Sequence, residues 1–70
     1  MDSHRSVDEQ AAGALFKAQM PVPEPFSYDQ ALWFVREVGA EQTTRHLQNV
    51  LGLLSWGHTL EEIVPRIRVL

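Results

Sequence analysis

Residues 27–57, SYDQALWFVREVGAEQTTRHLQNVLGLLSWG, decide the fold. Apolar residues recur there at steps of three and four, the period of a helix with one buried face and not the alternation of a strand. Ser27 followed by Gln30 has the form of a capping box. The hydroxyl can accept the third helical N–H while the longer side chain accepts the N–H of the cap residue. The pattern predicts a helix over 28–38, with Asp29 suited to its first turn and Gly39 as a left-handed terminator. A second helix is expected over 41–55, ended by Gly57 just after Trp56.

The same grammar extends outward. Ser6 with Glu9 makes a second box and opens a predicted helix over 7–19, with an apolar stripe of Val7, Ala11, Ala14, Leu15 and Ala18. An alanine-rich stripe buries little area, and Gly13 lowers helix propensity further, so this is expected to be the weakest helix. Residues 1–5 are polar and expected to be disordered. Residues 21–26, PVPEPF, carry prolines at alternate positions. Each fixes its own φ and restricts the residue before it, which predicts a stiff, extended, proline-rich connector. Phe26 stands just before the cap, where a hydrophobic staple residue would sit.

Thr59 with Glu62 forms a third box, followed by Leu60, Ile63 and Val64 on one side. Pro65 costs about 3 kcal/mol within a helix. Residues 65–70 are therefore expected either as a kinked helix with Ile67 continuing the face or as a tail whose charged and apolar residues alternate. The whole is an all-α fold: a single small domain over 1–70, built as a bundle of three to four short helices.

Composition narrows the function. The 70 residues include no cysteine, so disulfides and thiolate chemistry are absent. With 44% apolar and 21% charged residues and a net charge of -3, the chain lacks the cationic field that non-specific nucleic-acid or anionic-membrane binding needs. No apolar run approaches the roughly 18 residues of a membrane span, and the N-terminus has no signal-like apolar core. A soluble, cytoplasmic protein with no membrane association is expected. A domain this small buries only about 60% of the surface its unfolded chain exposes, so a partner or a second copy could complete its core.

Two kinds of chemistry can be drawn and neither is well supported. His46 and His58 lie twelve residues apart with Glu61 and Glu62 beyond, which is no compact metal-ligand spacing. Ser55 has no acid–base pattern around it, and Glu61 and Glu62 point about 100° apart on a helix. No metal, cofactor or catalytic residue is expected, and the chain reads as non-enzymatic. The segment 36–49, REVGAEQTTRHLQN, resembles in outline the helix-turn-helix of bacterial repressors. That resemblance implies DNA contacts by Gln42, Thr44, Arg45, Gln48 and Asn49. The motif's recognition helix also buries apolar residues about six and nine positions past the turn glycine. Here those are Arg45 and Gln48, so DNA binding takes second place.

The more informative residues are apolar ones that the core does not require. Trp33 falls on the polar side of the 28–38 helix, flanked by Asp29, Gln30, Arg36 and Glu37. Leu53 and Trp56 fall away from the face made by Thr43, Leu47, Val50, Leu51 and Leu54, and Phe16 and Met20 lie off the alanine stripe. Such residues either serve a helix buried on more than one side or form a contact surface, where tryptophan is enriched. The polar flanks of Trp33 favour contact. The expected function is a protein–protein interaction module, such as a small regulator, adaptor or assembly subunit, whose partner is another protein or itself as a homo-oligomer.

Overall fold

A computed structural model of the chain describes residues 6–19 and 25–69. Among them are five helices and no strand: α1 (Val7–Lys17), α2 (Tyr28–Val38), α3 (Ala40–Arg45), α4 (Leu47–Ser55) and α5 (Leu60–Arg68). The all-α bundle expected from the sequence is the one observed. The expected disorder of 1–5, most of the proline-rich connector and the last residue lie outside the described residues.

Three of the helix starts are fixed by the boxes read from the sequence. Ser6 Oγ accepts the Glu9 N–H at 3.1 Å while the Ser6 N–H donates to Glu9 Oε1 at 3.2 Å. Ser27 and Gln30 repeat the exchange at 3.2 and 2.9 Å, and Thr59 and Glu62 at 3.2 and 3.0 Å. Each pair satisfies two helix-end donors that would otherwise need water.

The stops differ in kind. Gly57, at φ 98°, completes a Schellman motif after α4. The His58 N–H donates to the Leu53 carbonyl at 3.1 Å and the Gly57 N–H to that of Leu54 at 3.0 Å. Gly39 also has positive φ, at 96° with ψ 142°, so it ends α2 on the left-handed side that favours glycine as expected, though its ψ is not that of a left-handed helix. It closes α2 and opens α3 at once. Its N–H donates to the Val35 carbonyl, and its own carbonyl accepts both the backbone N–H and the hydroxyl of Thr43, at 2.9 and 2.8 Å.

The helix expected over 41–55 is two helices, parted at His46 (φ −109°, ψ 25°). The break follows two β-branched threonines, and a threonine hydroxyl bonded back to the carbonyl four residues earlier weakens and bends a helix. The bend lets Thr43 on α3 and Val50 and Leu54 on α4 all reach the core. At the C-terminus the helical alternative holds, since α5 runs through Pro65. Pro65 is exposed, while Leu60, Ile63, Val64 and Ile67 are all buried.

Helix α2 is central and packs on α1, α3 and α5, and α4 leans on α5 and α3. Phe34, Val35, Leu15, Val50, Ile63 and Ile67 make the sealed interior. The stripe expected on α1 needs correction. Val7 is 69% exposed and Ala14 is exposed, whereas Ala12, outside the stripe, is fully buried. A short helix pressed against both α2 and α3 rotates its smallest side chains inward, and Ala11, Ala12 and Leu15 fill that position.

One polar clamp was not foreseen. Gln19 is buried, and its amide pairs with the backbone of Phe26 in both directions, accepting the Phe26 N–H at 2.8 Å and donating to its carbonyl at 3.1 Å. The side chain acts as a strand would, holding Phe26 in the core just before the α2 cap.

Candidate functional site

The contact residues read from the sequence occupy three separate surfaces. On α2 the buried arc is Ala31, Phe34, Val35 and Val38, and Trp33 lies off it at 39% exposure. It borders a half-open groove of about 390 Å³ between the start of α2 and the start of α5. The buried side chains Phe26, Leu54 and Leu60 line this groove, and the exposed acids Asp29 and Glu61 line it together with Trp33.

Trp56 is 85% exposed at the end of α4. With Leu53, half-buried against the core, it lines a wider, shallower groove of about 530 Å³ on another side of α4. Gln48, Asn49, His58 and Arg66 complete the polar part of that lining. Leu53 and Leu54 are sequence neighbours, yet they line different grooves, because adjacent helical positions are about 100° apart. Phe16, 39% exposed, packs edge-on against Tyr28 with ring centroids 6.2 Å apart and joins neither groove lining. Met20 lies outside the described residues.

The residues of the DNA reading are likewise dispersed. Thr44 and Arg45 line a shallow groove with Val7 between α1 and α3, while Gln48 and Asn49 line the Trp56 groove. Arg45 is exposed and paired with Glu41 at 2.9 Å. Gln42 has its amide oxygen buried without a hydrogen-bond partner. Arg45 and Gln48, which a recognition helix would bury, are both exposed, and α3 ends at Arg45 after six residues.

Charges elsewhere are arranged around the helix ends. Arg68 reaches Glu37 at 4.0 Å, and His58 Nδ1 lies 3.4 Å from Glu62 Oε1. The Glu62 carboxylate is held below the usual carboxylate range, first by the Thr59 backbone N–H it accepts and then by the hydrogen bond from His58. Asp29 and Glu61 form no ion pair among the described residues. No three His, Cys, Asp or Glu side chains converge among the described residues in a way that could hold a metal ion. No helix among them is long and apolar enough to cross a membrane.

Sequence reasoning named Trp33 and missed its surroundings. Asp29 read as a first-turn acid, Glu61 as an acid that forms no pair with Glu62, Phe26 as a staple residue, and Leu54 and Leu60 as parts of apolar helix faces. Only the tertiary meeting of two capped helix starts makes them neighbours. Against known protein families, curated proteins and solved structures, the chain finds no match.

Proposed function

We propose that this chain is a non-enzymatic protein–protein interaction module with two separate contact surfaces, one at each tryptophan. One observation carries the reading: Trp33 and Trp56 are 39% and 85% exposed, and each borders a groove lined in part by apolar side chains. Exposed large aromatics beside apolar recesses are the side chains that dominate binding energy in interfaces. A role as a small regulator, adaptor or assembly subunit follows from that surface, and a second copy is among the partners that suit it.

Sedimentation velocity over a range of concentrations, run on wild type, Trp33→Ala and Trp56→Ala, tests the proposal. Self-association weakened by either substitution, with helicity retained, supports it. If the wild type is monomeric throughout, a native-source protein retained by wild type and lost from the double variant supports it instead. Unfolding of Trp33→Ala, judged by loss of far-ultraviolet circular dichroism, would make that residue core and remove half the surface. Binding to duplex DNA at low salt, weakened by Arg45→Ala, would favour the nucleic-acid reading.

A further inference from the structure

We infer that the Trp33 groove receives an arginine side chain, with an adjacent apolar residue, presented by a segment of a partner protein. The inference rests on the contact reading above and assigns chemistry to one of its two grooves.

Three observations converge on it. First, the ionisable residues lining the groove among the described residues, Asp29 and Glu61, are both acidic. Second, no cation among the described residues answers either acid, although Glu37, Glu41 and Glu62 each have a basic side chain within 4.0 Å. Third, the exposed Trp33 lines the same groove as both acids and follows Asp29 by one turn of α2. A first-turn acid suits a helix by itself. The fold adds the convergence of two such acids beside an indole face.

A guanidinium meets all three features. It stacks on an indole, its fork of donors matches carboxylates, and it is more weakly hydrated than an ammonium. Phe26, Leu54 and Leu60 supply the apolar recess that a neighbouring aliphatic side chain would occupy. Acidic or phosphorylated segments are excluded from the groove by like charge.

The test is a nuclear magnetic resonance titration of the indole N–H signal of Trp33, assigned with the help of a Trp56→Phe spectrum. The probes are capped leucine–arginine–leucine and leucine–citrulline–leucine tripeptides. Citrulline keeps the shape of arginine and removes its charge. A saturable shift at millimolar arginine peptide, about tenfold weaker with citrulline and weakened by added salt, is the expected result. In Asp29→Asn/Glu61→Gln the arginine peptide should fall to the citrulline level while citrulline binding is unchanged. Equal binding of the two peptides by wild type would overturn the inference and leave the contact reading standing. No saturable shift at Trp33 with either peptide would overturn it too, and the sedimentation behaviour of Trp33→Ala then decides the contact reading separately.

Discussion

Gln42 shows what a single atom can settle. It belongs to the polar run that gives residues 36–49 their look of a DNA reader, yet its amide oxygen is buried with no partner. A buried acceptor without a hydrogen bond costs about 1–3 kcal/mol. Gln42→Met replaces it with an apolar side chain of similar length. The substitution should stabilise the fold by about 1 kcal/mol, raising the thermal midpoint by about 4–8 °C. A lowered midpoint would mean that the oxygen is solvated or bonded in solution. The exposed tryptophans make the contrast at this scale. Trp33 and Trp56 were legible because a large aromatic on a polar face contradicts its neighbours. Gln42 was not, since a polar residue on a mostly polar helix contradicts nothing.

At the scale of the element, three of the five helix starts could be read directly, because a capping box is a local exchange between residues three apart. The breaks could not. The local weakness at Thr43 and Thr44 does not by itself say that the helix over 41–55 divides into α3 and α4, since the bend at His46 also answers to the core that Thr43, Val50 and Leu54 share. Pro65 is the converse case, a local breaker overruled by four buried side chains on α5. Its ring removes one N–H from the helical ladder. Pro65→Ala should therefore stabilise the protein by about 1–3 kcal/mol, read as a higher denaturant midpoint with an unchanged slope. A neutral or destabilising result would mean that proline's restraint on the unfolded chain offsets the restored bond.

For the whole molecule, small size and shared packing make the helices stand or fall together, so local protonation should appear in global stability. Glu62 is the carboxylate to watch. Its folded value lies below the usual carboxylate range because it accepts the Thr59 N–H and pairs with His58. A depressed carboxylate contributes stability that is complete above its unfolded value and lost as pH falls through the folded one. Thermal midpoints should then decline from about pH 4.5 downward, less steeply in Glu62→Gln, where an amide keeps the capping geometry without the charge. Identical acid profiles for the two proteins would remove Glu62 from the account. The molecule measures 17 Å along its shortest axis, room for two helix layers at a spacing of 8–10 Å. So thin a slab leaves clefts between its helices open to solvent, and no reading of one helix at a time locates them. That is why the fold class was legible and the grooves were not.

The Schellman motif after α4 has an effect beyond ending a helix. It holds the backbone on both sides of Trp56 by the Gly57 and His58 hydrogen bonds, and so fixes the root of the most exposed aromatic ring among the described residues. The ring retains only its two side-chain rotations. Under the proposed contact role, little backbone freedom would remain to be lost on docking there, so the entropic penalty of association would be small at that point. On that proposal, the rigid cap would make this exposed tryptophan a preorganised anchor.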